Sequence, residues 1–173
     1  EWRAYAAAKS LEIRAFPSID AYLVAEDERQ RLTQRAADVE ARQGTLAQML
    51  NAYVDDMERR GKSSAKAVRG ALKLDVLDPL PELSQCKAKE VEPSDIANIL
   101  RRCLTRSVAS KGRGVRLTKA SATNGKKRQA DKLRSYLQAA FSFGLASDLN
   151  PLRAGDAVQY GLKSNPARDV PTI

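Results

Sequence analysis

An all-α fold is predicted by three observations. Aromatic residues make up only 5 % of the chain while apolar residues reach 43 %, and with Ala abundant this composition suits packed helices better than a β-sandwich. Apolar residues recur at helical spacing in four separate stretches, not at the alternating spacing of a half-buried strand. Start and stop signals bracket the stretches: Ser, Thr, Asn or Pro before them, Gly, Pro or a loop-forming cluster after them. At 173 residues, the chain is one domain, or one domain with an appendage.

Residues 1–44 are Ala-rich and mildly acidic, with nine bases against eleven acids over residues 1–60. Trp2, Tyr5 and Ala6 can start a short helix, which Pro17-Ser18 interrupts. Ser18 is placed to cap a longer helix from Ile19 to about Arg42, with Asp20 in its first turn, where an acid suits the helix dipole. After Val24 that helix is almost wholly polar, as expected of a connector or a solvated arm. Residues 1–44 therefore read as a helical linker from something upstream.

The first helix of the domain proper starts at Thr45, whose hydroxyl with the Gln48 side chain forms a capping box. Leu46, Met49, Leu50, Tyr53, Val54 and Met57 follow as one continuous apolar stripe, and Gly61 stands where a C′ glycine ends a helix. Ser63 or Ser64 caps the second helix, whose core face is Ala65, Val68, Ala71 and Leu72 and whose outer face carries Lys62, Lys66, Arg69 and Lys73; Asp78-Pro79 stops it. After a connection over 79–92, Pro93 opens the third helix at the position where its missing N–H costs nothing. Ile96, Ile99, Leu100, Cys103 and Leu104 form its stripe, which makes Cys103 a core residue, with Arg101, Arg102 and Arg106 on the other side. Residues 109–122 are loop by composition. The fourth helix is expected from Thr123 or Asn124 to about Ser147, on a stripe of Leu133, Tyr136, Leu137, Ala140, Phe141 and Leu145, with Gly144 on the same side. Stepping about 100° per residue sets Arg128 and Lys132 opposite that stripe, with Lys127 and Arg134 at its flanks. Beyond Asp148 come Asn150-Pro151 and Asn165-Pro166, with one short helix expected between Gly155 and Gly161 and an extended exit segment after Lys163.

The charge is concentrated. Arg101 to Arg134 holds twelve Lys or Arg against one acid, Asp131, a net charge of +11, whereas the whole chain carries +9. Such a field, at a sequence pI near 9.8, suits a long polyanion, nucleic acid first. A solvated basic loop is the plainer reading of a charge run. Against it, Lys126, Lys127 and Arg128 are expected to crowd the first turn of the fourth helix, where each base costs up to about 1 kcal/mol through the macrodipole. A surface made for phosphates tolerates that cost.

Other function classes are disfavoured. The chain contains no His, which removes most hydrolase triads, most zinc sites and the usual general base. Cys86 and Cys103 have no metal-ligand spacing and read as reduced thiols of a cytoplasmic protein. Lys111-Gly112-Arg113-Gly114 is too short for a phosphate-binding loop and follows no strand. No apolar run approaches the roughly 20 residues of a membrane span, and the first residues lack a signal-peptide pattern. A binding module without catalysis, cofactor, metal, membrane partner or small-molecule substrate is expected.

Four stretches in order resemble a known family: Thr45 to Gly61; Lys62-Ser63-Ser64-Ala65-Lys66-Ala67-Val68-Arg69; Val91-Glu92-Pro93-Ser94-Asp95-Ile96; and Lys132-Leu133-Arg134-Ser135-Tyr136-Leu137-Gln138-Ala139-Ala140-Phe141. They resemble the core-binding domain of phage-type tyrosine recombinases (integrases), and Ser164-Asn165-Pro166-Ala167-Arg168-Asp169-Val170-Pro171 resembles the segment joining that domain to the catalytic one. The resemblance implies a small, orthogonal, SAM-like bundle of four main helices forming half of a C-shaped clamp around the core recombination site. It places the second and fourth helices nearest the DNA. Residues 45–163 would be the core-binding domain, 1–44 the end of a linker from an arm-binding domain, and 164–173 the start of a linker toward the catalytic domain. The partners implied are double-stranded DNA and other integrase protomers assembled on it. The family's catalytic residues, a histidine among them, lie in the other domain, so none of Tyr5, Tyr22, Tyr53, Tyr136 and Tyr160 is assigned as a nucleophile.

The resulting candidate DNA contacts are Lys62, Ser63, Lys66 and Arg69 from the second helix, Arg113, Arg116 and Lys119 from the loop, and Lys126, Lys127, Arg128, Lys132 and Arg134 from the fourth helix. Most are expected to meet phosphate, which positions a protein without specifying sequence. The rival reading is a helical protein-interaction module whose basic face docks an acidic partner.

Overall fold

The computed structural model describes residues 9–106, 119–152 and 158–173, with the backbone alone over 119–125. The chain forms two compact units, Glu1–Arg42 and Gln43–Ile173. Among the described residues the secondary structure is helical, with bridges only between Gln43 and Gln159 and between Thr45 and Lys87. The all-α expectation holds, and none of the described helices is long and apolar enough to cross a membrane.

In the first unit, residues 9–14 are helical and α1 spans Ile19–Ala41. Ser18 caps α1 as expected, its Oγ accepting the Ala21 N–H at 3.1 Å. Tyr22 is the buried residue of α1. Phe16 meets its ring edge-on at 5.5 Å. The rest of α1 is solvated and laced by local ion pairs, Arg29–Glu26 at 2.7 Å and Arg31–Asp27 at 3.0 Å, each contributing a few tenths of a kcal/mol. Trp2, Tyr5 and Ala6 lie outside the described residues.

The second unit begins two residues before the expected boundary, because the chain already pairs there. Gly44 N donates to Gln159 O at 2.7 Å, Ala88 N to Gly44 O at 3.0 Å and Leu46 N to Cys86 O at 2.9 Å. Helix α2 (Leu46–Arg59) opens on the complete Thr45/Gln48 capping box, and all six stripe residues from Leu46 to Met57 are buried. Its end is a Schellman motif. Gly61 takes φ +68°, Lys62 N donates to Met57 O at 3.0 Å and Gly61 N to Glu58 O at 2.9 Å. Helix α3 (Ala65–Leu72) buries Ala65, Val68 and Leu72. It continues into a π-turn, Lys73–Leu77, that turns both Asp75 and Val76 inward before Asp78-Pro79 ends the run. A short α4 (Pro81–Gln85) and a 3₁₀ turn (Ala88–Glu90) lead to α5 (Pro93–Thr105). There Glu92 and Asp95 form a capping box and Pro93 sits at N1. Helix α6 (Lys119–Asp148) is the longest.

The core is where α2, α3 and α5 meet α6. Leu133, Leu137, Ala140 and Phe141 of α6 pack among Met49, Leu50, Val54, Val68, Leu72, Ile96, Ile99 and Cys103. Each large side chain fully withdrawn from water there contributes about 1.5–3 kcal/mol. Gly144 allows the close approach of α2 and α6, since a Cβ at this position would lie 2.7 Å from Met49 Sδ and 2.8 Å from Leu162 Cδ1. Tyr53 and Phe143 also meet across the pair, ring centroids 5.8 Å apart.

Three expectations are corrected. Helix α6 starts at Lys119, not at Thr123 or Asn124, so the last residues of the expected 109–122 loop are helical. Of the short helix expected between Gly155 and Gly161, the described residues 158–161 are not helical. Residues 153–157 lie outside the described residues, but Gln159 bridges Gln43, Gly161 takes φ +63°, and the Asp148 carboxylate accepts the Tyr160 and Gly161 N–H groups at 3.0 and 2.8 Å. Finally, residues 164–173 are not a free exit segment; they lie along α6, with Asn165, Ala167 and Val170 buried. Side chains of α6 bind the Ala167 and Val170 carbonyls and the Ile173 N–H, which helps offset the entropy of ordering the segment.

Two glycines should respond in opposite directions to the same substitution. Gly61→Ala, forced into the left-handed region, should lose about 1 kcal/mol. Gly70→Ala, mid-helix with nothing within 4 Å of the added methyl, should gain about 0.4–1 kcal/mol. Urea unfolding midpoints measure both; equal shifts would contradict the assigned backbone.

Candidate nucleic-acid interface

The 43–173 unit holds 23 Lys or Arg against 13 Asp or Glu, so it carries +10 of the chain's +9 net charge and the preceding unit is slightly acidic. The local partners of each cation decide which part of that charge faces solvent unopposed.

On the α3 side, Lys62, Ser63, Lys66 and Lys73 are exposed. Ser64, not Ser63, occupies the N-cap position, and its side chain makes no capping hydrogen bond, because its backbone is already helical. Arg69 is withdrawn from the expected set. It bridges α3 to α2, with Nη2 2.7 Å from Asp55 Oδ1 and 2.9 Å from Glu58 Oε2, and the hydrogen bonds it donates to those carboxylates hold its guanidinium above its ordinary pKa. Arg59 and Arg60 both engage Asp56. The acids of α2 thus neutralise the arginines nearest them.

On the α6 side, Lys127, Arg128 and Lys132 are exposed, and Lys126 is half-buried. Arg128 and Lys132 lie one turn apart, opposite the buried stripe, as the helical phasing requires. Arg134 is again withdrawn: its Nε donates to Val170 O at 2.6 Å beneath the 164–173 segment. Arg113 and Arg116 lie outside the described residues, and Lys119 supplies the first residue of α6. The macrodipole argument for Lys126–Arg128 does not survive. With α6 beginning at Lys119, these residues sit beyond the first turn, where the dipole effect has decayed. The case for Lys127 and Arg128 rests instead on their exposure and on having no acid partner among the described residues.

Helices α3 and α6 pack against each other, so the two groups of exposed cations occupy neighbouring elements. No family model, curated protein or solved structure matches the chain. The site must be argued from its own chemistry.

That chemistry is electrostatic. Among the described residues no cluster of three or more His, Cys, Asp or Glu is placed to hold a metal. Burial, and then the nearby Asp75 carboxylate, push the Cys103 thiol pKa up, which keeps it protonated and unreactive. A groove of about 650 Å³ lies between α2 and the end of α6, lined by Ala52, Asp55, Asp56, Arg59, Phe143 and Leu152. Its two carboxylates are those already bound to arginines.

One pair escaped the sequence reading. Arg106, at the C-cap of α5, reaches the buried Asp75 of the π-turn, Nη1 to Oδ1 at 3.0 Å, while Asp75 Oδ2 has no hydrogen-bond partner among the described residues. Helical phasing continues the Val68 and Leu72 face through Asp75, so a carboxylate falls on the core side and needs the Arg106 partner. Burial pushes its carboxyl pKa up, and Arg106 and then Arg102 pull it partly back. With a folded-state pKa above the unfolded one, the folded protein binds the extra proton. Asp75 therefore adds stability as pH falls through the folded pKa toward the unfolded value, and this is lost as pH rises. Between about pH 7 and about pH 4, wild type should gain stability relative to Asp75→Asn in urea titrations. A pH-independent difference would refute the shift.

Proposed function

We propose that the 43–173 unit binds double-stranded DNA as the non-catalytic core-binding domain of a site-specific tyrosine recombinase, acting in DNA integration and recombination. The observation that carries the proposal is the set of exposed cations, free of acid partners among the described residues, on two helices in contact: Lys62, Lys66 and Lys73 beside α3, and Lys127, Arg128 and Lys132 on α6. The resemblance of the sequence to integrase core-binding domains independently names the same two helices as the DNA-facing ones. It also supplies the finer fold, a SAM-like bundle, and the further partners, other protomers on the same DNA.

Double-stranded rather than single-stranded nucleic acid is favoured by the aromatic side chains. Tyr53, Phe141 and Tyr160 are buried in the bundle, with Tyr136 and Phe143 half-buried against it. Single-strand binders need exposed aromatic faces on which bases stack. The cations instead suit phosphates, whose spacing a rigid helix face can follow without base readout. No catalytic step is assigned to this chain. In a full-length recombinase the unit would hold the site while a separate domain performs strand exchange.

Binding should weaken steeply with salt, log K falling by about 0.9 per log[salt] for each phosphate neutralised. Reversing Lys127, Arg128 and Lys132 to Glu should raise the duplex Kd more than about tenfold at roughly 0.1 M salt and flatten the salt dependence. Fluorescence anisotropy with a labelled duplex measures both. Unchanged binding would remove α6 from the interface, and a salt-independent Kd would overturn the DNA reading and favour an acidic protein partner.

A further inference from the structure

The 164–173 segment runs antiparallel to α6: three α6 side chains, Asp131, Arg134 and Gln138, hold its main chain, and Gln138 and Ser142 accept from the Asn165 side chain. Asn165 Nδ2 donates to Gln138 O at 2.8 Å and Ser142 Oγ at 2.9 Å. Gln138 Nε2 donates to Ala167 O at 3.2 Å. Arg134 Nε donates to Val170 O at 2.6 Å, and Asp131 Oδ1 accepts the Ile173 N–H at 3.1 Å.

The two ends of this strap differ. At the Asn165 end the anchor is buried and doubly bonded, and Asn165 Oδ1 also accepts the Ala167 N–H at 3.1 Å. At the Ile173 end the strap is exposed, and its ties are the two side chains that belong to the basic stretch, Arg134 and Asp131. Arg134 gives its Nε to a neutral carbonyl. A phosphate is a stronger acceptor for a guanidinium, because the bond is charge-assisted and can be bidentate. Arg134 and Lys127 are seven residues apart and fall on one side of α6, so a backbone lying on Lys127 and Arg128 comes within reach of Arg134.

We propose that residues 168–173 form a displaceable strap, and that duplex DNA on the α6 face takes Arg134 from Val170 and so frees the Ile173 end, while Asn165 stays anchored. Occupancy of the basic face is thereby transmitted to the chain leaving α6, and by reciprocity the docked strap weakens DNA binding. This rests on the DNA-binding reading.

The test uses the full chain and a short duplex at saturating concentration, with amide exchange followed residue by residue by NMR. Expected is faster exchange at Ile173 and altered resonances at Val170 on adding duplex, with Ala167 still protected. Unchanged or increased protection at Ile173, with duplex bound by anisotropy, overturns the strap while leaving the DNA reading intact. Absence of duplex binding fails the DNA reading and the strap with it. Arg134→Gln gives a second readout: if the guanidinium moves to a phosphate, the salt slope falls by about 0.9. An unchanged slope returns Arg134 to a purely structural role. Asn165→Ala, which loosens the anchor, should tighten duplex binding; weaker binding would contradict the reciprocity.

Discussion

The 43–173 unit depends on the burial of one side of α6. Ala130, Leu133, Leu137, Ala140 and Phe141 are all almost fully withdrawn from water, and α2, α3 and α5 each contribute their own apolar stripe to that contact. The helix extends well to the N-terminal side of Ala130, over the described residues back to Lys119. Once the core has supplied the nucleus, extending a helix costs little, because each added residue gains a hydrogen bond for the two dihedrals it fixes. The helix therefore continues beyond Ala130, and the exposed Lys127, Arg128 and Lys132 lie on either side of that residue. A rigid element anchored by its C-terminal half can present charge from its N-terminal half without a separate scaffold.

Electrostatics then sorts the cations. Arginines next to acids are consumed: Arg59, Arg60 and Arg69 by the carboxylates of α2, and Arg106 by Asp75. The exposed pairs contribute little stability, roughly 0–1 kcal/mol each, but they decide the geography of the field. With physiological screening near 8 Å, a charge matched by its neighbour contributes almost nothing to an approaching polyanion. Net charge, which spreads the excess over the whole unit, cannot distinguish Arg69 from Lys66; hydrogen-bond partners can.

Periodicity and capping were legible wherever local chemistry decides the outcome. The Thr45/Gln48 box, the six-residue stripe of α2, the glycine stop at Gly61, Pro93 at N1 and the burial of Cys103 all follow from residues close in sequence. What stayed illegible depends on partners far away. The fate of Arg134 is set by Val170, 36 residues on, and that of Arg69 by residues 11 and 14 positions before it. Asp75 lies on the buried face with Val68 and Leu72, but its Arg106 partner is 31 residues on, so the pair is not visible from local spacing. Residues 119–122 looked like loop because their composition is small and polar, yet they are helical as an extension of a helix nucleated elsewhere.

The 164–173 segment shows how attachment chemistry sets lability. Its apolar contributions, Ala167 and Val170, are small, and most of its ties run from α6 to main-chain groups. Each such hydrogen bond nets about 1 kcal/mol, since water offers a substitute. Ordering a residue costs about as much, so a segment held this way has little stability to spare, and least at its exposed end. The large side chains of the core face no comparable competition from solvent. The 168–173 end is therefore the part of this segment that costs least to release, while the face carrying Lys127, Arg128 and Lys132 is backed by the buried stripe of α6. Under the DNA reading proposed above, α6 would supply the preorganised face and the 168–173 end the part that responds to its occupancy.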